Sequence, residues 1–323
     1  MAPQSLGRLV TAHILPQAVA GVAAAGNMQA FHYYTATPRR DDPLVDDPLL
    51  GADLDNPLDT QPPASGLIEA SCNITAPLCL NAIGLFLPLL FDAAAPTGAG
   101  PYTHGFTSGQ RETAGASLAF TEHAKWRRPH TWTPESLSLG FAQESGRRIL
   151  TLNGMASDVD DLDADPTGVA LAPHTPAFVP ARGGAVVRYD GTVIANLVGG
   201  TFNYRRPLEA FRPAARSDGT AQEFTPQQGA SAGIEGAALR VTDNVFYDIA
   251  RSKAAAPVSI EYALGASTLT FAMPAVRITP TERPVSGPGL RTETYNLRAE
   301  VTTGAPMVAT TLVNEIDSYP VAA

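Results

Sequence analysis

The chain has 323 residues, 44% of them apolar and only 16% charged, with a formal net charge of −9. A surface so poor in charge favours coverage by neighbouring subunits, and the acidic balance excludes a protein that grips phosphate backbones through many Lys and Arg side chains. The 28 glycines and 28 prolines exclude a helical bundle and suit short strands joined by turns.

In chain order, residues 1–35 read as an arm or opening strands that end in the aromatic cluster Phe31-His32-Tyr33-Tyr34. Arg8 followed by the Ala-rich run to Gly26 loosely imitates a signal peptide, but His13, Pro16 and Gln17 break its apolar core. Without secretion the sequon Asn73-Ile74-Thr75 carries no meaning, and no apolar run reaches the roughly 18 residues of a membrane span. Residues 38–65, dense in Asp and Pro, read as a linker or long loop, because each proline drives the preceding residue out of helical geometry.

Leu67 to Ile74 reads as a strand, and the apolar segment from Leu78 to Phe91 as a helix that Pro88 bends or ends. Strands are expected at about 102–106, 116–121, 136–142 and 148–155, the last two joined across Gly146. Residues 157–184, rich in Asp, Pro and Gly, read as a second long loop and a boundary. Beyond it, 185–189 and 193–204 flank the hairpin signal Asp190-Gly191. A polar loop over 206–233 and a strand over 237–241 follow. Then come a short helix capped by Asp243 or Asn244 and running to Lys253, and hairpins 258–262/267–272 across Gly265 and 295–302/307–314. The expected fold is mainly β, a β-sandwich or β-barrel with one short helix per lobe and long loops. The expected division is an arm with an acidic loop (1–65), a first β lobe (66–182) and a second β lobe (183–323). The equal inventories of the halves suggest a duplication, although no residue-level repeat is visible.

Searches for chemistry return little. Gly229-Ala230-Ser231-Ala232-Gly233 fits the nucleophile-elbow pattern, yet no buried strand is expected before it, and the last histidine, His174, precedes the serine. Asp158, Asp160, Asp161, Asp163 and Asp165 form an acidic cluster, but Pro166 stands where a calcium loop needs Gly and Ala172 where it needs Glu. It reads as a solvated acidic loop. None of the six histidines forms HxH or HExxH. His123, Lys125, Trp126, Arg127, Arg128 and His130 form a basic-aromatic patch that reads as a salt-bridged interface rather than a nucleic-acid site. Cys72 and Cys79 match neither a zinc pair nor CxxC and read as small buried thiols. No catalytic residue, cofactor or metal is expected. The chain reads as a structural protein rather than an enzyme. The alternative is a β-structural or adhesion protein of a virion or an exposed surface, with a Ser hydrolase further behind.

Several segments resemble the siphophage tail tube proteins of the two-lobed, roughly 300-residue kind. Pro43-Leu44-Val45-Asp46-Asp47-Pro48-Leu49-Leu50-Gly51 resembles their loop motif. Ser65-Gly66-Leu67-Ile68 and the run Leu80 to Phe91 resemble their first strand and helix, and Pro101-Tyr102-Thr103-His104-Gly105-Phe106-Thr107-Ser108-Gly109 the segment after it. Ser286-Gly287-Pro288-Gly289 and Thr311-Leu312-Val313-Asn314-Glu315 resemble C-terminal signatures. The helix is more aliphatic than is usual there, and 205–233 departs from the usual asparagine-rich stretch.

The resemblance implies a homo-oligomer: rings, hexameric in the family, whose inner strands join into one barrel and which stack axially into a tube in the virion tail. It implies the tape measure, tail terminator and distal tail proteins as partners, an acidic lumen that passes DNA without specific binding, and no membrane. Asp46, Asp47, Pro48, Leu49 and Leu50 in one long loop, with Asp160, Asp161 and Asp163 in the other, are the expected contacts between subunits.

Overall fold

Alternation of buried and exposed side chains runs through most of the predicted strands. Along Glu69–Pro77, for example, Ala70, Cys72, Ile74 and Ala76 are buried while Glu69 and Asn73 face outward. That period of two makes each strand half of a sandwich. A computed structural model describes residues 11–46, 63–109, 115–122, 125–183, 185–241, 245–279 and 291–319, and it is mainly β.

The first half contains β1 (Ala12–Pro16), β2 (Gln29–Phe31), β3 (Thr35–Asp41), β4 (Leu44–Val45), β5 (Ala64–Ser65), β6 (Glu69–Pro77), β7 (Asp92–Ala93), β8 (Tyr102–Thr107), β9 (Ala116–Glu122), β10 (Lys125–His130), β11 (Thr133–Gly140), β12 (Ile149–Ala156) and β13 (Asp158–Leu162). The second contains β14 (Val186–Tyr189), β15 (Thr192–Val193), β16 (Leu197–Arg205), β17 (Leu208–Phe211), β18 (Glu223–Pro226), β19 (Ser231–Arg240), the helix α1 (Val245–Ser252), β20 (Ala256–Leu264), β21 (Ser267–Thr279), β22 (Thr292–Ala299) and β23 (Ala309–Asn314).

The same pairing pattern occurs twice. One layer of the first half has the order β3-β6-β12-β11, and one layer of the second has β16-β19-β22-β21. The opposing layers are β13-β10-β9-β1-β2 and β23-β21-β20-β14-β15. β21 serves both layers of its half. Its first part pairs β20 and β23, and Val276–Thr279 pairs β22. In the first half that path is split into β10 and β11, with Thr131 in the left-handed region at the corner (φ 50). Each half also carries a short two-stranded arm between its third and its next layer strand, β4·β5 in one and β17·β18 in the other. The two layers are continuous across the middle of the chain, because β11 pairs β16 from Ser136↔Arg205 to Gly140↔Thr201. Among the described residues β8 has no counterpart in the second half. It crosses over to pair β23, so the motifs around Tyr102–Thr107 and Thr311–Asn314 are partners in space.

The helical connectors close each sandwich. In the second half α1 puts Phe246 against Tyr189 and Tyr295, one from each layer. It ends within one residue of the expected position, with Lys253 left-handed (φ 54). The proposed caps Asp243 and Asn244 lie outside the described residues. In the first half the expected helix over Leu78–Phe91 is instead two 3-10 turns, Ile83–Leu85 and Leu87–Leu89. Phe86 reaches Phe31 and Trp132 there. Because apolar side chains surround this segment, no polar face exists to make it an amphipathic α-helix, and Pro88 cannot donate to an α-helical ladder.

Five other readings differ. Residues 38–41 belong to β3 and 158–162 to β13, not to loops. The polar stretch 206–233 contains β17 and β18, and β19 starts at Ser231 rather than 237. The last predicted hairpin does not exist, because β22 and β23 lie end to end along one edge of the 13-residue β21 instead of against each other. Asp190-Gly191 does form the expected turn, both residues having positive φ (48° and 76°).

Candidate functional site

The outward face of the layer β3-β6-β12-β11-β16-β19-β22-β21 is a largely polar surface, with Ile149 of β12 an exposed apolar exception. One register row crosses all eight strands: Thr35, Thr75, Thr151, Ser138, Asn203, Gly233, Arg298 and Arg277. A second runs Thr37, Asn73, Asn153, Ser136, Arg205, Ser231. Small hydroxyl and amide side chains dominate. Charge is close to balanced, with Arg39, Arg205, Arg240, Arg277 and Arg298 set against Asp41, Glu69, Glu135 and Glu235. Arg205 is held by Glu135 at 2.8 Å. Gly233 is required in the first row because a Cβ there would sit on the Leu297 carbonyl oxygen of the neighbouring strand.

The acidic stretch is structured by the basic patch. β13 pairs β10 with Asp161 opposite Arg127, Asp160 opposite Arg128 and Asp158 opposite His130. Arg128 donates to Asp160 from Nη2 (2.8 Å) and Nε (3.0 Å). Arg127 lies 3.4 Å from Asp161, Lys125 3.5 Å from Asp163 and Arg40 3.3 Å from Asp158. The expected solvated loop is thus a ladder of cross-strand ion pairs, and the basic-aromatic patch is salt-bridged within the chain itself. Asp160 turns inward to Arg128, while Asp161 and Asp163 stay largely exposed. Asp46 is exposed; Asp47, Pro48, Leu49, Leu50, His123 and Ser286–Gly289 lie outside the described residues.

Among the described residues the one grouping with metal-ligand composition is His130, Asp158 and Asp160. Arg128 and Arg40 already hold both carboxylates, so a cation would have to displace two guanidinium groups. Ser231 opens a strand instead of a strand-to-helix turn, so it lacks the strained elbow that exposes a nucleophile. Cys72 and Cys79 are free and buried, and burial pushes the Cys72 thiol up to about 12. That makes it an inert packing group.

Burial lowers the pKa of His13, His130 and His174 below the ordinary 6.5, with nearby aspartates opposing the shift at His13 and His130. A histidine kept neutral in the fold protonates first in the unfolded chain. Its contribution is therefore present above the ordinary pKa and is lost as pH falls through it. Urea midpoints should hold steady from pH 8 to 7 and decline below about 6.5. A midpoint that rises over that interval contradicts the reading.

Sequence reasoning missed the polar face because it looked for chemistry rather than for a wall. The signal was there as Thr, Ser and Asn two residues apart in Thr35/Thr37, Ser71/Asn73/Thr75, Ser136/Ser138 and Thr151/Asn153. A protein-family model described as phage tail tube protein matches residues 7–299. A search of curated proteins finds no match.

Proposed function

Because the chain belongs to the phage tail tube protein family, we propose that it assembles into closed rings that stack along the virion tail, and that the eight-strand polar face lines the channel through which DNA leaves. The observation that carries this is the register row that crosses both halves of the chain, with short hydroxyl and amide side chains from Thr35 to Asn203 and then Gly233, Arg298 and Arg277. It leaves neither an apolar patch to be covered nor a dense cationic surface to hold phosphates. The expected acidic wall gives way here to a nearly neutral one, whose arginines are matched by carboxylates. The acidity of the chain then lies mainly on other surfaces.

We place the two lobes at β1–β13 and β14–β23, because the pairing pattern carries the first lobe back to β1. The arms β4·β5 and β17·β18, and the ladder at Asp161 and Asp163, are the proposed contacts with adjacent copies or rings. The ladder lies on β13, whose counterpart β23 is covered by β8, whereas no described strand pairs the outer edge of β13. The tape measure protein and the proteins capping the tube ends are the proposed heterologous partners. The role is structural, with no reaction to catalyse. No helix among the described residues is long and apolar enough to cross a membrane.

Negative-stain microscopy of the purified protein at high concentration should show rings or tubes of uniform width. A protein that stays monomeric at every concentration and salt tested removes the reading.

A further inference from the structure

Three distant parts of the chain meet at the connector that follows β6. The segment after β13 lies along it. Asn81 Nδ2 donates to the Thr175 carbonyl (2.9 Å), the Leu80 N–H to that of Ala177 (2.9 Å), and Phe178 bridges Cys79. The residues after β23 lie over it. Asn314 Nδ2 donates to the Leu80 carbonyl (2.7 Å) and to the Tyr319 hydroxyl oxygen (2.6 Å), and the Tyr319 hydroxyl donates in turn to the Asn81 carbonyl (2.9 Å). The Tyr319 ring is buried in a slot that exists because Gly84 has no side chain, since a Cβ there would strike the ring. His104 of β8 and His174 flank it, with ring centroids 5.2 and 5.8 Å away.

The two histidines are not equivalent. His104 Nε2 lies 2.8 Å from the Ile316 carbonyl. A carbonyl only accepts, so this nitrogen carries a hydrogen, and the bond survives a second proton on the ring. His174 Nε2 is buried without a hydrogen-bond partner among the described residues, and so is Asn81 Oδ1. Such atoms carry the cost of lost hydration. Burial alone lowers the pKa of His174, with no neighbouring charge contributing. The titratable groups around it are the Tyr319 hydroxyl, the Cys79 thiol that interacts with Tyr319, and His104 on the far side of the ring. Glu315 and Asp317 are exposed, and Asp317 accepts from the Ser318 N–H. No carboxylate therefore offsets a proton on His174.

We propose that residues 315–319 form a pH-sensitive strap, closed over the connector at neutral pH and released when His174 takes up a proton. The Tyr319 ring meets His174 edge-on, so its departure lets water reach the imidazole. A histidine with a lowered pKa in the closed form and an ordinary one in the open form binds protons preferentially when open. Closure is thus at full strength above the ordinary 6.5 and weakens as pH falls through it, by at most about tenfold per pH unit. Release uncovers the Leu80 and Asn81 carbonyls and the slot over Gly84. It also undoes the tie between the two halves of the chain beyond the β8·β23 ladder. The strap belongs to the single chain, so the unassembled protein tests it independently of the tube.

Ser318→Cys, at an exposed position, takes a trifluoromethyl probe at neutral pH while both native thiols are buried. Gly84→Ala and Tyr319→Ala in the same background mark the open signal in fluorine NMR. Between about pH 7.5 and about 5.5 the open-to-closed ratio should rise by up to about tenfold per unit. His174→Gln, which does not titrate, should flatten that rise. Circular dichroism of the buried Trp132 should stay constant throughout. A ratio that ignores pH, or an equal slope in His174→Gln, overturns the proposal. So does a probe signal that moves only together with the Trp132 signal, because that is unfolding of the whole chain. Should Gly84→Ala fail to fold, Tyr319→Ala alone marks the open state, and the titration of the probe-bearing protein needs neither.

Discussion

Replacing Trp132 with alanine is expected to cost about 3–5 kcal/mol of folding stability, the range for losing a large buried aromatic side chain. Trp132 is fully buried at the corner where the chain passes from β10 in the outer layer to β11 in the polar layer. Its Nε1–H donates to the Cys72 carbonyl of β6 at 2.8 Å, and its ring meets Phe86 edge-on. Its backbone exchanges two hydrogen bonds with Ala116, 2.8 and 2.9 Å long. Gly154 of β12 leaves room for the indole, since a Cβ there would strike Nε1. One side chain thus ties the helical connector, both layers and the corner between them. Alanine leaves a cavity and an unpaired buried carbonyl. Phenylalanine fills most of the space and is expected to lose only the hydrogen bond, about 1–3 kcal/mol. Urea denaturation of the three proteins checks the order. If alanine and phenylalanine cost the same, the cavity contributes nothing and the argument fails.

What was legible in the sequence follows from where the physics is local. Strands such as β6, β12 and β16 announce themselves because one face is buried and the other wet, which imposes a period of two. In sequence β3 and β13 look like loops because edge strands carry proline and charge, and the same residues that blunt an edge resemble a linker. The missed start of β19 has a similar origin. Gly233 reads as flexibility in a string of letters, but in the fold it allows close approach to Leu297. The false hairpin of β22 and β23 shows a different limit. Adjacency in sequence suggests pairing, whereas a 13-residue β21 offers one edge long enough for both. The duplication was suspected from the inventory of elements alone. Pairing topology persists where residue identity does not, because layer order depends on which faces are apolar and not on which apolar residue is used. The polar face was present as composition but had no meaning until the register aligned it into rows.

Arg206→Leu is the second large effect, expected to remove about 3 kcal/mol, because several buried carbonyls lose their donor at about 1–3 kcal/mol each and relief of a buried charge offsets part of that. Arg206 is buried just after β16 in the second half of the chain, but its guanidinium reaches carbonyls of the first half. Nη2 donates to the carbonyls of Leu89 (2.9 Å) and Pro134 (3.4 Å), and Nη1 to that of Leu90 (3.5 Å). Two of these three acceptors stand at the end of the 3-10 connector, where chain geometry leaves carbonyls without partners. Burial lowers the pKa of the guanidinium, with Tyr204 and Asp92 opposing that shift. A group that stays charged despite this cost is held by what it donates to. Arg206→Lys should recover less than half of the loss, since one ammonium cannot span three divergent carbonyls. Hydrogen exchange separates a local clamp from a general loss of packing. The clamp predicts faster exchange confined to residues 83–91, β11 and the start of the β17·β18 arm. Uniform acceleration across both halves of the chain would assign the loss to the core as a whole and remove Arg206 from its place between them.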